Sequence, residues 1–404
     1  MTVTEINIEK IRKDMPLHEK YAYLNTAAAS AMPQPVVDVI TDYLQKQASI
    51  GPYLPAFRKE TYAKVELIRE KAAAFIGATK EEVAFVPNGS MPINYVSGGL
   101  HWHKGDEVIV PDTEMLSNYV PWLALEKKGV KLNVLKTGTD CVIDVKELEK
   151  LITPNTRLIT FAYMPNASGA FQPAKEICRL AKKHNVLTVV NANQTLGLVP
   201  MNVNDLDCDF LISCGRKWLR GPEGSGIIYV RQELIKDVTP IMIGWGGADW
   251  DFKKNEYSFP STAKRFEPGC LVIPSILGLG AAIDYANEIG IESIYNRVKE
   301  LTVYMVEHLK MVPGVTIYGP ENIENRISIT PFNVEGLSPD HITEYLEEHG
   351  IIIEAGTFMA NTIMERYKIN KMARFSPHYF NTEDEIDRAV ALIKELGENG
   401  DAGK

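Results

Sequence analysis

The sequence predicts an α/β protein with a mostly parallel mixed sheet flanked by helices, followed by a smaller α+β domain at the C-terminal end. Short apolar runs rich in β-branched residues alternate with segments of helical apolar spacing between about residues 35 and 230. Polar or glycine-containing turns directly follow several of these runs. Beyond about residue 291 the pattern changes to amphipathic helices separated by short strands. These three observations indicate a large α/β domain joined to an α+β domain.

In the first part of the chain, apolar spacing predicts helices over 35–47 and 56–76, followed by a strand over 82–86. The turn over 87–94 contains a glycine and a serine and leads into a helical run. Exposed N–H groups at a helix start favour a phosphate, although an ordinary capped turn has the same pattern. The alternation continues with strands and helices over 107–111, 131–135, 145–151, 158–161 and 174–184.

The most informative stretch lies in the middle of the chain. A buried strand is predicted over 186–190, and it ends at the polar group Asn-Ala-Asn-Gln over 191–194. A second strand over 210–212 leads to Lys217 in a turn rich in small residues, before a third strand over 227–230. Open α/β sheets hold ligands beyond the carboxyl ends of their strands. An amine that is desolvated there has a lowered pKa, as a Schiff-base lysine requires.

The C-terminal part is predicted to form a separate α+β domain. Its elements are helices and strands over 294–311, 315–318, 326–330, 340–348, 351–353 and 383–396. The predicted organisation is therefore an N-terminal arm over 1–22, a large domain over 23–285 and a small domain over 286–404.

Bulk composition limits the classes of partner. The 404 residues are 45% hydrophobic and 24% charged, as in a globular protein with a sizeable core, and the net charge of −9 argues against nucleic acid or an anionic membrane as partner. Five scattered cysteines without a Cys-x-x-Cys pair, together with an N-terminus unlike a signal peptide, favour a reduced cytoplasmic protein. No metal site is predicted, because His101 and His103 have no third ligand at a fixed spacing.

Two motifs near Lys217 resemble those of a known family. Residues 191–197 read Asn-Ala-Asn-Gln-Thr-Leu-Gly, and residues 216–224 read Arg-Lys-Trp-Leu-Arg-Gly-Pro-Glu-Gly. The chain resembles the class V aminotransferases, whose motifs read Asp-x-x-Gln-x-x-Gly and His-Lys followed by Gly-Pro-x-Gly. That family belongs to the fold-type I pyridoxal 5′-phosphate (PLP) enzymes and includes cysteine desulfurases and isopenicillin N epimerase-like proteins. The resemblance extends from about Tyr23 to the C-terminal helix and implies the fold-type I transferase fold.

The resemblance also implies which residues contact the cofactor. Lys217 would form the Schiff base with PLP and would later move the proton on the substrate's Cα. Ser90 and Met91 would lie where relatives bind the phosphate, and Met115 would pack on the ring or belong to the core. The other positions expected at the cofactor are Asn166, Asn191, Gln194, Cys214, Arg216 and Cys270.

The resemblance further implies an amino-acid substrate and a homodimer. Arg374 lies in a motif over 373–382 that is close to the family's Arg-x-Ser-x-x-x-Tyr-Asn-Thr, and its guanidinium suits bidentate binding of a carboxylate. Ala28 lies in a segment of small residues that runs along the substrate in relatives. Residues 264–270 are similar to a family motif that reaches the phosphate of the neighbouring subunit, so the active site is expected at a subunit interface.

Several residues depart from the family pattern. Asn191 replaces the aspartate that protonates the ring nitrogen, Cys214 and Cys270 replace hydroxyl residues, and Arg216 replaces a histidine. The loop over 356–361 contains no cysteine where desulfurases carry their nucleophile. The predicted function is therefore a PLP enzyme of transaminase, epimerase or C–S lyase type, and not a desulfurase with a cysteine nucleophile. The alternative is a catalytically silent or cofactor-free descendant that acts as a binding or regulatory protein.

Overall fold

A mixed seven-stranded sheet forms the centre of the structure, a computed structural model that describes residues 6–401. Residues 1–5, the first part of the predicted N-terminal arm, and residues 402–404 lie outside the described residues. Across the sheet the strands are Val83–Phe85, Gly226–Val230, Phe210–Cys214, Leu187–Asn191, Thr156–Ala162, Glu107–Pro111 and Lys131–Leu135. Gly226–Val230 is antiparallel to both of its neighbours, and all other neighbours in this sheet pair in parallel.

Helices cover both faces of this sheet. Successive strand residues point to opposite faces, and both faces carry apolar side chains that pack into a cluster. Val190 and Leu211 pack into one apolar cluster, whereas their chain neighbours Val189 and Ile212 pack into another on the opposite face. The helices of this part are Gln34–Ile50, Pro55–Phe75, Ser90–Gly99, Val120–Leu123, Val145–Leu151, Ala174–Lys183, Val203–Leu206 and Ile273–Ile289. Short 3₁₀ helices occur at Pro16–Glu19, Lys80–Glu82, Leu116–Asn118, Ala124–Lys128, Gln232–Asp237, Ala263–Phe266 and Ile323–Asn325.

The C-terminal part is built on an antiparallel four-stranded sheet. Its strands, in spatial order, are Val315–Ile317, Thr330–Val334, Met372–Phe375 and Glu354–Gly356. Its helices are Ile291–Leu309, Pro339–Glu348, Asn361–Tyr367 and Glu383–Asp401. The N-terminal helix Ile8–Lys13 is followed by the strand Ala22–Tyr23, which pairs in parallel with Ile351–Ile352. The start of the chain is thereby joined to the C-terminal part.

The strand predicted over 326–330 is wrong, because the strand of this region is Thr330–Val334. Ser328 has a φ of 55°, which a strand does not allow. Arg326 is 2% exposed, and its guanidinium donates to the carbonyl oxygens of Pro320 at 3.0 Å and Ile329 at 3.3 Å. The backbone is not extended at Ser328, and carbonyl groups of this segment accept hydrogen bonds from the buried guanidinium of Arg326. Buried polar groups need such partners.

The sheet brings the polar ends of several strands to one edge. Ala162 is the register partner of Asn191, and Asn191 is the partner of Ile212, two residues before Cys214. The turn after Cys214 is closed by two backbone hydrogen bonds, from Gly221 N–H to the carbonyl of Gly215 and from Arg220 N–H to that of Lys217. Lys217 is therefore held beside the carboxyl ends of parallel strands, where such sheets bind ligands.

Candidate active site

A cavity of about 230 Å³ opens at this edge of the large sheet. Its walls come from segments that directly follow strands, including the turn at the start of the helix Ser90–Gly99. The residues expected at the cofactor that line the cavity are Ser90, Met115, Asn166, Asn191, Gln194, Cys214, Arg216 and Lys217. The fold thus brings together residues that are spread over more than one hundred positions of the sequence.

Lys217 presents its amine to this cavity. The side chain is partly buried, and its Nζ forms no hydrogen bond or ion pair with any residue between 6 and 398. Burial, assisted by the positive charges of Arg374 and Arg216 and opposed by Cys214, lowers the pKa of Lys217 to about 8. A sizeable fraction of this amine is therefore neutral near pH 8 and able to attack an aldehyde.

The turn that carries Lys217 is anchored through its neighbour Trp218. The carbonyl of Trp218 accepts a hydrogen bond from His378 Nε2 at 2.9 Å, and its indole N–H donates to Gln194 Oε1 at 2.7 Å. Gln194 Nε2 in turn donates to the carbonyl of Ala27 at 3.0 Å. Both polar ends of Gln194 are thus engaged by protein groups. Gln194 holds the turn in place although it also lines the cavity.

His378 is a positioning residue that could not be assigned from the sequence. It is fully buried, and burial together with the charge of Arg220 lowers its pKa well below the usual value. A neutral imidazole that donates from Nε2 is consistent with its contact to the Trp218 carbonyl. The sequence offered no partner for His378, because Trp218 is 160 positions away.

The start of the helix Ser90–Gly99 forms one end of the cavity. The N–H groups of Ser90 and Met91 both donate to Asn88 Oδ1 at 3.0 Å. Gly89 lies against Asn193, whose side-chain oxygen is 2.2 Å from the position that a Cβ at Gly89 would occupy. A phosphate could bind here by replacing the Asn88 oxygen as the acceptor of these N–H groups.

The amide of Asn191 and the carboxyl of Glu114 lie in the same cavity wall. Asn191 Oδ1 accepts a hydrogen bond from the backbone N–H of Asn193 at 3.1 Å. Glu114, which the sequence analysis did not single out, accepts from the N–H of Ala162 at 2.5 Å and from Asn118 Nδ2 at 2.7 Å. Burial raises the pKa of Glu114 to about 7. Its position three residues after the strand Glu107–Pro111 was the available sequence signal.

Arg374 and Ala28 lie outside the cavity lining but contact residues that form it. Arg374 is 1% exposed and donates from Nη1 to the carbonyl of Asn166 at 2.9 Å. Its Nη2 pairs with Glu354 Oε2 at 2.6 Å. The carbonyl of Ala28 accepts from Arg216 Nη1 at 2.8 Å. The structure therefore places an arginine next to Asn166, already paired with a carboxylate of its own chain.

Met91 and Cys270 line a neighbouring cavity, also of about 230 Å³. Gly224 contributes to the walls of both cavities. Cys270 is exposed, whereas Cys214 is buried in the wall of the first cavity. Within one chain, Cys270 therefore lies beside the lysine cavity and not in its wall. The contact of Cys270 with a cofactor stays a prediction.

The residues present fit PLP. Lys217 would supply an amine for the aldehyde, and the helix start at Ser90 would supply N–H groups for the phosphate. Asn191, in the wall of the same cavity, would offer an uncharged amide to the ring nitrogen. Among the side chains that the structure describes, no group of three or more His, Cys, Asp or Glu is placed to bind a metal ion. None of the described helices is both long and apolar enough to cross a bilayer.

The chain is similar to known proteins over nearly its whole length. It is 34% identical over 398 residues to a probable cysteine desulfurase of Methanothermobacter thermautotrophicus, covering 97% of this chain and 98% of that protein. It is 32% identical to a probable cysteine desulfurase of Pyrococcus abyssi, covering 96% and 97% of the two chains. The apo structure of a cysteine desulfurase from Thermococcus onnurineus superimposes with a TM-score of 0.93 at 30% identity, over 99% of this chain and all of the other.

These similarities overturn part of the functional prediction. The exclusion of a desulfurase with a cysteine nucleophile was wrong, because the relatives at 30–34% identity over nearly the full length are named cysteine desulfurases. That exclusion relied on one loop, whereas the similarity covers the sheet, the lysine turn and the C-terminal part together. The absence of one cysteine side chain from a loop is weaker evidence about function than sequence similarity over the whole chain.

The family model that matches the chain is that of the class V aminotransferases, and it spans residues 22–389. The predicted fold-type I architecture is confirmed by the superposition on a solved desulfurase. The predicted cofactor, PLP, is confirmed with the family, and a more distant solved protein of the same fold carries glycine linked to it. The chain belongs to the class V aminotransferase family of PLP enzymes.

Proposed function

We propose that this enzyme removes sulfur from L-cysteine or a close derivative, as the named function of its relatives suggests. The observation that supports the proposal best is the 34% identity to a probable cysteine desulfurase over 97% of the chain, with Lys217 held unpaired in the cavity. A homodimer in the cytoplasm is part of the same proposal. All five cysteines are free, which agrees with a reducing compartment.

The proposed roles follow from the contacts of each side chain. Bound PLP supplies an aldehyde that holds the amino group of the substrate and a ring that accepts electrons from its Cα. Lys217, with a pKa of about 8, would accept and return the proton at Cα. Arg374 and Asn166 would orient the substrate's carboxylate, since Arg374 is buried next to Asn166 at the cavity rim. The His378 contact to Trp218 would hold the lysine turn in position.

The products distinguish the possible reactions. Desulfuration converts cysteine and a thiol into alanine and a persulfide, whereas elimination converts cysteine and water into pyruvate, ammonia and hydrogen sulfide. We expect PLP-loaded protein to form alanine from L-cysteine in the presence of dithiothreitol as the thiol. Quantification of alanine, pyruvate and sulfide tests this, with Lys217→Ala as the inactive control. Pyruvate without alanine would show elimination, and the absence of all three products would reject cysteine as the substrate.

A further inference from the structure

The guanidinium of Arg374 is buried, and its two terminal nitrogens contact groups of the same chain. Nη1 donates to the Asn166 carbonyl at 2.9 Å, and Nη2 contacts Glu354 at 2.6 Å. The guanidinium carbon lies 4.0 Å from the centroid of the Phe358 ring, which fixes the plane of the group. Nε is buried and has no acceptor among residues 6–398. A second carboxylate could bind this fork bidentately only by taking the place of Glu354.

The two members of this ion pair differ in their freedom to move. The side chain of Arg374 is 2% exposed, whereas that of Glu354 is 40% exposed. The strands that carry them pair directly, with Glu354 as the register partner of Arg374. Glu354 can therefore turn towards solvent at a small cost, whereas Arg374 is held by Phe358 and Asn166. An incoming carboxylate would keep the buried guanidinium paired, which avoids the penalty for an isolated buried charge.

The charges of the Arg374–Glu354 pair influence the cavity that contains Lys217. The charges of Arg374 and Glu354 both influence the amine of Lys217, with opposite signs. Asn166, which accepts from Arg374, lines the cavity with Lys217. Glu354 also lies two residues before the start of the loop over 356–361, and the carbonyl of Phe358 in that loop accepts a hydrogen bond from Asn166 Nδ2 at 3.0 Å. Glu354 therefore influences the amine of Lys217 and lies close in sequence to a loop that contacts the cavity residue Asn166.

We propose that Glu354 is a specificity-determining residue that competes with the substrate's carboxylate for Arg374. The inference rests on the proposed use of Arg374 by an amino-acid substrate. Glu354 keeps the guanidinium paired in the free enzyme and is displaced when a carboxylate ligand enters. The affinity of the site for carboxylates is thereby lower than Arg374 alone would provide, and an uncharged side chain at position 354 raises it.

Propionate tests the proposal, because it has a carboxylate but neither an amine nor sulfur. We expect the dissociation constant of propionate for PLP-loaded Glu354→Gln to be three- to tenfold lower than for the unmodified enzyme, measured by calorimetry. Asp340→Asn is the matched control, since Asp340 pairs with Lys371 at 2.8 Å on the surface of the same part of the molecule. This control removes one equivalent charge and is expected to leave propionate binding unchanged.

The outcomes separate this inference from the proposed reaction. Propionate binding reports on Arg374 even if the enzyme does not cleave cysteine, and a lower KM for cysteine with an unchanged kcat would be the matching kinetic result. Equal or weaker propionate binding by Glu354→Gln, or no binding by either protein, would overturn the proposal. If Glu354→Gln does not fold, Glu354→Asp retains the charge with a shorter reach and is expected to bind propionate more tightly than the unmodified enzyme. Unchanged binding by that variant would also reject the proposal.

Discussion

Single residues set the electrostatics of the cavity. Asn191 brings no charge to the wall where relatives have an aspartate, whereas Glu114 places a buried carboxyl in the same wall. Asn118 can only donate to Glu114, because its Oδ1 already accepts from Trp122 and Thr160. Besides burial, the charges of Arg374 and Arg216 lower the pKa of Lys217, and the charge of Glu354 raises it. The protonation states of Lys217 and Glu114 therefore both change within the range of pH used to assay enzymes.

The lowered pKa of Lys217 predicts how PLP attachment depends on pH. The neutral amine is the reactive form, so the rate of attachment should rise with pH and reach half of its maximum near pH 8. Stopped-flow absorbance of apoprotein mixed with PLP would measure this rate. Lys217→Ala should give no attachment that borohydride can trap, whereas Lys146→Ala, at an exposed helical position, should behave as the unmodified protein. A rate independent of pH between 6.5 and 9.5 would contradict the lowered pKa.

The raised pKa of Glu114 predicts a pH dependence of stability. The folded state favours the protonated carboxyl, so stability is fully present below the usual pKa of 4.5 and is lost as the pH rises through about 7. The difference corresponds to about 3 kcal/mol. Glu114→Gln should flatten this dependence in urea unfolding measured at pH 5.5 and pH 8. Glu233→Gln, at an exposed position, should retain the slope of the unmodified protein.

At the level of elements, two turns at the carboxyl edge of the sheet are packed directly on each other. Gly197 follows the polar group after the strand Leu187–Asn191 and has a φ of 89°. A Cβ on Gly197 would lie 2.5 Å from Cα of Leu219, two residues after Lys217. The close approach requires glycine for both its positive φ and its missing side chain. The glycine that ends the first family motif is thus needed to position the lysine turn.

Gly197→Ala should therefore be strongly destabilising. The substitution forces both a strained φ and an overlap with the Leu219 backbone, and we expect it to lower the free energy of unfolding by about 2 to 4 kcal/mol. Gly336→Ala is the matched control, because Gly336 has a φ of 79° but nothing within 4 Å of the added Cβ. The control should cost about 1 kcal/mol. Equal losses in urea unfolding would show that the contact with Leu219 is unimportant.

At the scale of the whole molecule, the segment over 241–257 exposes several large apolar side chains. Trp245 is 67% exposed, and Trp250 and Phe252 are each 68% exposed. The latter two lie on or next to the hairpin formed by Asp249–Asp251 and Glu256–Ser258. Soluble proteins seldom expose several large apolar side chains together unless another molecule covers them. This surface supports the proposed homodimer.

The proposed homodimer predicts a mass in solution of twice 45.1 kDa. Trp250→Glu should shift the protein towards the monomer, because a charge would be buried at the interface. Met311→Glu, at a position that is 57% exposed elsewhere on the surface, should leave the mass unchanged. Sedimentation velocity measures both variants. A monomeric unmodified protein at micromolar concentration would contradict the proposal.

The sequence by itself determined the local elements and predicted which lysine is reactive. The strands predicted over 107–111 and 131–135 and the helix over 145–151 have the predicted bounds in the structure. Apolar periodicity is a property of neighbouring residues, so it is readable without the fold. A strand and a turn rich in small residues placed Lys217 at the edge of the sheet, and its role as the Schiff-base lysine stays a prediction from the family motif. The family motifs then led to the cofactor.

Only the tertiary structure decided which distant residues complete the site. Glu114, Glu354 and His378 reach the cavity or its supports from three separate parts of the chain. Arg326 shows the same limit, since its buried guanidinium is bound by carbonyl groups and the strand of this region begins only at Thr330. Contacts between residues far apart in sequence depend on strand order and packing, which leave no periodic pattern in the chain. The lysine could therefore be found from its neighbours, whereas the charges that control it required the folded molecule.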